Sequence, residues 1–255
     1  MDMTKDLGLE NTKYEKKGKI AYVALNRPEK YNAYTNAMIY ELGKIWDDYN
    51  RDDNLWVAIF YGEGKHFCTG HDLRQPEPLH TEPPSIHYGN LKVYKPIIAA
   101  VGGYAMGGGC SMVLASDVRI LADDARIGYP QAKGGIITYG GPQRLPRMIP
   151  GMAKWYLFSG ELIPAEEAYR LGMCVKVVPR DKLMEEAKLL AEKICDCSPH
   201  SVKAIKESVE RGSLVSFNEA MIISKEVGAK FEETEEFKEA MKAFAEKKDP
   251  PHRRK

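Results

Sequence analysis

The chain has 255 residues, 44% of them hydrophobic, with 37 basic and 36 acidic side chains for a formal net charge of +1. Enough apolar residues for a sizeable core exclude a disordered or fibrous chain. The balanced charge gives no electrostatic reason for nucleic acid or an anionic membrane surface to be the partner, so small-molecule chemistry is the default.

Five cysteines, Cys68, Cys110, Cys174, Cys195 and Cys197, lack the paired spacing of a zinc site or a disulfide framework and predict a reducing, cytoplasmic setting. Residues 1–17 are charged and carry no apolar signal core. No stretch approaches the roughly 18 apolar residues of a membrane helix, so a soluble, unprocessed protein is expected.

In chain order, residues 19–25 read as a strand ending at the turn signal Asn26, Arg27 and Pro28, and residues 35–49 read as a helix. Residues 55–61 form a continuous apolar run of the kind buried on both faces in sheets with crossover helices. It leads into a Gly-rich loop at 62–73 and a Pro-rich segment at 75–85, which suits a mobile flap shaping a pocket. Residues 96–101 are the next strand, followed by Gly107, Gly108 and Gly109 and a helix-like run at 110–115. A strand at 118–121 and an irregular Gly-rich loop at 128–141 follow, and then a helix-dominated second half. Helical period marks 182–194, 201–210, 217–231 and 235–247. The fold class is α/β with C-terminal helices, which at the end of a chain often pack on a neighbouring subunit.

Two loops carry chemistry. At the glycine triplet, a helix N-terminus offers unpaired N–H groups and partial positive charge, and glycine permits close approach of an anionic oxygen. Tight packing of a helix on a sheet needs the same glycines, and the two readings stand even. No Lys-Ser/Thr follows and the G-x-G-x-x-G spacing is absent, so neither a phosphate loop nor a dinucleotide site is matched. The loop FCTGHDL at 67–73 is weak alone. Two such loops at the carboxyl ends of strands, however, could each give one backbone N–H to an oxyanion hole. A serine-hydrolase elbow is excluded, because the segment around Ser111 lacks the last glycine of G-x-S-x-G.

Both loops, in this order, resemble the enoyl-CoA hydratase/isomerase (crotonase) family. The resemblance spans nearly the whole chain: LNRPEKYNA at 25–33, FCTGHDL at 67–73, PIIAAVGGYAMGGGC at 96–110, GGPQRL at 140–145, AEEAYRLG at 165–172 and MKAFAEK at 241–247. It implies a spiral of ββα turns over 1–195 with a helical oligomerisation region at 196–255, assembled as a homotrimer or a dimer of trimers. It also implies that the backbone N–H groups of His71 and Gly108 hold the oxygen of an acyl-CoA thioester as it gains charge. Arg27 and Lys30 fall where the family has basic residues near the adenosine and phosphates, although a solvated turn reads nearly as well. Ala33, Gly70, Asp72 and Leu73 complete the implied contacts with CoA or substrate. Coenzyme A is then part of the substrate, and neither a separate cofactor nor a metal is expected.

The chain departs from the family where hydratases carry two glutamates, having Ser111 and Gln131 instead. Neither offers a carboxylate base. Three readings follow. The leading one is hydration or dehydration, or isomerisation, of an atypical enoyl-CoA with a cyclic or aromatic-derived acyl group, using Tyr139, Asp72, His71 or an ordered water. The second is decarboxylation or thioester hydrolysis. His71 after Gly70 and a tyrosine near Tyr139 resemble the methylmalonyl-CoA decarboxylase branch. The third is an acyl-CoA-binding protein without catalysis, against which the retained oxyanion loops argue. Tyr139 is expected to touch substrate, and Ser111 either orients a water or simply packs. His66, His80 and His87 read as solvated histidines in or near the flap, and Asp117 as a structural partner between helix and strand.

Overall fold

A computed structural model describes residues 1–74, 85–86, 91–250 and 252. The Pro-rich segment and both His80 and His87 fall outside these, except for Ser85. Two compact units are present: residues 1–93 with 97–191, and residues 94–96 with 192–255.

In the first unit, β1 (Thr12–Lys17) and β2 (Ile20–Leu25) form an antiparallel hairpin, with Thr12 opposite Leu25. Sequence patterning misses β1, whose six residues include three lysines and a glutamate. α1 (Asn36–Arg51) starts where the Thr35 hydroxyl accepts the Met38 N–H at 3.2 Å, an N-cap. It buries Met38, Ile39, Leu42, Ile45, Trp46 and Tyr49, one stripe at helical spacing. Each such side chain contributes about 1.5–3 kcal/mol on burial.

β3 (Val57–Gly62), β4 (Ile97–Val101), β6 (Val118–Ala122) and β9 (Lys176–Val178) continue the sheet, all parallel, in the order β1-β2-β3-β4-β6-β9. Every residue of β4 is buried, as its continuous apolar run requires. The Asp117 side chain accepts the Ile97 N–H at 2.7 Å and so fixes the start of β4, a structural role as expected.

A second sheet of β5 (Tyr104–Met106), β7 (Arg126–Gly128) and β8 (Ile163–Pro164) is too short-stranded to leave a period in the sequence. Between β5 and β6 lies α2 (Gly108–Ala115). The glycine-rich stretch after β7 is only partly irregular. It holds a tight 3₁₀ turn at Pro130–Gly134 and ends in α3 (Gly141–Met148). α4 (Ala153–Ser159) and α5 (Ala165–Arg170) follow.

The division between the units falls within α6 (Leu183–Cys195). The second unit then has α7 (Pro199–Gly212), α8 (Phe217–Glu232) and α9 (Glu235–Ala245), capped by Ser198, Ser216 and Thr234. Ser216 and Glu219 form a reciprocal capping box. Glu236 in the first turn of α9 takes hydrogen bonds from Ser198 and His200 at the start of α7. Among the described residues no helix is long and apolar enough to cross a membrane, and no cluster of three His, Cys, Asp or Glu could hold a metal.

Candidate active site

The site is built where the chain leaving β3 is stitched to its neighbours. Asn32, fully buried and left-handed at φ 54, accepts the Arg27 N–H at 2.8 Å. Its amide donates to the carbonyls of Glu63 at 2.9 Å and His66 at 2.7 Å. Asparagine tolerates this backbone region better than other non-glycine residues. Beyond it, Phe67 N–H donates to Gly102 and Cys68 N–H to Tyr104, at 2.9 and 3.0 Å, while Met106 N–H donates back to Cys68 at 2.9 Å. On the opposite side, Tyr34 N–H donates to the Gly70 carbonyl at 2.9 Å and Asp72 N–H to the Tyr34 carbonyl at 2.8 Å.

That pattern sets a direction. No peptide bond among the described residues is cis, and in a trans peptide the N–H points opposite the C=O. The Gly70 carbonyl points to Tyr34, so the His71 N–H points away from it, toward the strand that Cys68 pairs with. Gly70 makes this turn at φ 100, open to glycine but strained for other residues. A Cβ on Gly70 would lie 3.1 Å from the Met106 carbonyl oxygen and 3.8 Å from the backbone nitrogen of Gly108. The two glycine-bearing loops therefore meet.

Gly108 opens α2, and as one of its first residues it has no N–H acceptor within the helix. Its missing Cβ matters as well, since a methyl there would collide with the Tyr34 ring and hydroxyl. Close packing and a half-buried helix N-terminus thus coincide at the triplet.

A cavity of about 240 Å³ lies between these loops. Tyr34, Thr69, Gly70, His71 and Leu73 line one side, and Gly107, Gly108 and Ser111 another. Pro130, Gln131, Gly134, Ile136, Ile137, Thr138, Tyr139 and Gly140 close it. Among the described residues, no carboxylate, lysine or arginine lines it. Ser111, 2% exposed, has its Oγ 3.0 Å from the hydroxyl of Tyr129, itself 1% exposed. Gln131 lies over Gly107, and its buried Oε1 has no hydrogen-bond partner among the described residues. Tyr139 is 49% exposed at the mouth, and the His71 ring meets Tyr34 edge to face at 5.3 Å.

The cavity brings together His71, Gly108, Tyr139, Ser111, Gln131, Gly70 and Leu73. The other expected residues lie off it. Arg27 donates to the Ala33 carbonyl at 2.6 Å and pairs with Asp72 at 3.3 Å, and Asp72 pairs with Arg74 at 3.0 Å. Asp72 is only 6% exposed; the Arg74 guanidinium, then that of Arg27, holds its carboxyl down to about 2. It is a brace for the loop, ionised at neutral pH. Lys30 is exposed on the 3₁₀ turn Pro28–Lys30.

His66 is not the solvated side chain its flanking sequence suggests. It is 8% exposed, stacks on Tyr104 at 4.8 Å and accepts the Tyr104 N–H at 3.1 Å. Burial, then Lys65 and Arg180, lowers its pKa, and its Nδ1 is occupied as an acceptor. Burial likewise pushes the Cys68 and Cys110 thiols up to about 12, which removes both as nucleophiles. Tyr34 and Tyr129 are the residues that sequence patterning missed. Neither sits in a run whose period or motif singles it out, and only the loop pairing brings them to the site.

A family model described as enoyl-CoA hydratase/isomerase matches residues 15–255. The chain belongs to the enoyl-CoA hydratase/isomerase family. It is 36% identical to a short-chain-enoyl-CoA hydratase of Clostridium acetobutylicum over 251 residues, covering 94% of this chain and 96% of the relative. It is 37% identical to an (E)-benzylidenesuccinyl-CoA hydratase of Thauera aromatica over 245 residues, covering 92% and 95%. Among solved structures, an enoyl-CoA hydratase from Mycobacterium marinum superposes with a TM-score of 0.88 at 31% identity, covering 94% of this chain and 97% of that one. One from Bacillus anthracis gives 0.86 at 32%, covering 94% and 98%. The crotonase fold expected from the sequence is the fold observed, and the chain is an enoyl-CoA hydratase/isomerase-like enzyme acting on acyl-CoA.

Proposed function

We propose that this enzyme adds or removes water at the double bond of an atypical enoyl-CoA, holding the thioester oxygen between the backbone N–H groups of His71 and Gly108. The observation that carries the reading is the trans peptide after Gly70, which aims the His71 N–H toward the loop that bears Gly108. Two fixed donors in a site removed from water stabilise an enolate oxygen more than a neutral carbonyl, and each such donor is worth about 10²–10³ in kcat.

In the proposed cycle, the carbonyl oxygen gains charge as oxygen adds at the β-carbon near Ser111 and Gln131, or as the α-carbon loses its proton, and gives that charge up when the α-carbon is protonated or the β-oxygen leaves. The buried Gln131 Oε1 supports a donor there, such as water or a substrate hydroxyl. Tyr139 at the mouth touches the acyl group. The rings of Tyr34 and Tyr139 with Ile136, Ile137 and Leu73 favour a bulky cyclic or aryl acyl group over a short linear chain. In the C-terminal unit, Phe244 and Phe217 are 82% and 78% exposed, which supports association with further copies of the chain as a trimer or a dimer of trimers.

The deciding experiment incubates the purified protein with linear enoyl-, cyclic dienoyl-, aryl-substituted and malonyl-type CoA thioesters and reads products by mass. Gain or loss of water on a bulky enoyl-CoA is the expected result. Loss of carbon dioxide or release of free CoA would replace this reading with decarboxylation or hydrolysis, and binding without product would reduce the protein to an acyl-CoA binder.

A further inference from the structure

Ser111 faces the cavity, whereas Tyr129, directly after β7, lies behind it and outside the lining. Their hydroxyl oxygens are 3.0 Å apart and both side chains are buried. Two hydroxyls at that distance place one proton between them, and the other proton must point elsewhere. The phenol is the more acidic hydroxyl and therefore the better donor. Its other neighbour is the Cys110 thiol, a weaker acceptor than a serine oxygen. The serine's own hydrogen is then left for the carbonyl one turn below or for the cavity. Among the described residues Ser111 Oγ makes no bond to that carbonyl, on Gly107, whereas Ser116 Oγ makes the equivalent bond to the Met112 carbonyl at 3.1 Å, which leaves the cavity.

The phenol has little room to do otherwise. A Cβ on Gly141 would lie 2.9 Å from two carbons of the Tyr129 ring, so the first residue of α3 rests against it. The Gly107 N–H donates to the Gly128 carbonyl at 2.9 Å, coupling the residue before Tyr129 to the residue before Gly108. Burial raises the Tyr129 pKa well above that of a free phenol, so the donor is protonated at neutral pH.

We propose that Tyr129 is a positioning residue that, by donating to Ser111 Oγ, turns the serine hydroxyl into the cavity to hold the oxygen exchanged at the acyl group. This rests on the hydration and dehydration reading above.

The test is a double-mutant cycle of Tyr129→Phe and Ser111→Ala on a substrate that the wild type turns over, with kcat, KM and thermal melts for each variant. The expected result is a fall in kcat of about tenfold for Tyr129→Phe at unchanged KM. In the Ser111→Ala background, Tyr129→Phe should have no further effect. Ser111→Thr, which keeps the hydroxyl, should restore the dependence on Tyr129. Wild-type kcat in Tyr129→Phe would overturn the proposal. So would an equal fall with and without the serine hydroxyl, which is what a mere packing defect would give. No water exchange by the wild type on any thioester would instead sink the underlying reading, and this proposal with it.

Discussion

Tyr34 donates its backbone N–H to the carbonyl of Gly70 at 2.9 Å, and that bond decides where the next N–H in the chain points. Because the following peptide is trans, the His71 N–H faces the loop carrying Gly108, whose nitrogen lies 3.8 Å from where a Gly70 Cβ would stand. Gly70→Ala should therefore strike both the backbone and the site. Its φ of 100 is unfavourable for alanine, and strain of this kind costs about 1–3 kcal/mol. We expect a lower melting temperature together with a fall in kcat of about 10² or more. Wild-type kcat in a stably folded Gly70→Ala would refute the proposed oxyanion pair.

Asn32 should prove structural and not catalytic. Its three hydrogen bonds hold the turn after β2 against the loop after β3. Asn32→Ala leaves the buried His66 carbonyl without this donor, at about 1–3 kcal/mol, and the half-buried Glu63 carbonyl at less. Chemical denaturation should show a loss of several kcal/mol, and native-state hydrogen exchange should speed up most in residues 63–72. A change in kcat with unaltered stability would contradict this assignment.

Asp72 gives a pH signature with a definite sign. Arg74, then Arg27, lowers its carboxyl to about 2 in the folded chain, below the roughly 3.9 of an unfolded one. The stabilisation is thus present above about pH 4 and lost as pH falls through about 2. Wild type should exceed Asp72→Asn in stability at pH 6, and the gap should close between pH 4 and pH 2. A gap unchanged over that window would mean that the brace works by shape alone.

Supplying carboxylates should change the reaction profile. In the Ser111→Glu, Gln131→Glu double variant, two acids would enter a cavity whose described lining has none. Hydration of crotonyl-CoA is expected to rise by about 10², the usual scale of a positioned acid or base. No rise in a variant that still binds the thioester would show that the cavity's shape, and not its missing carboxylates, disfavours a short linear substrate.

Much of this protein is legible without its coordinates. The short continuous apolar runs of β3 and β4 fit strands covered on both faces, and the helical-period stripe of α1 fits a helix with one face on a core, because a strand buried on both sides has no polar face to alternate with and a half-buried helix does. The two glycine-bearing loops are likewise visible as loops, and their order along the chain resembles one family. The strands of the second sheet are not legible. Two or three residues each, they pair with one another and through the Cys68–Ala105 bridge, contacts between distant parts of the chain that leave no period in any one segment. Nor could the sequence show that Arg27 and Asp72 face each other as a brace, that His66 is buried against Tyr104, or that Tyr34 and Tyr129 reach the site. Local composition determined which segments could be strand, helix or turn. Which N–H, hydroxyl and amide converge on one cavity was decided by long-range backbone pairing, since hydrogen-bond direction depends on the partner a peptide finds in space and not on its neighbours in sequence.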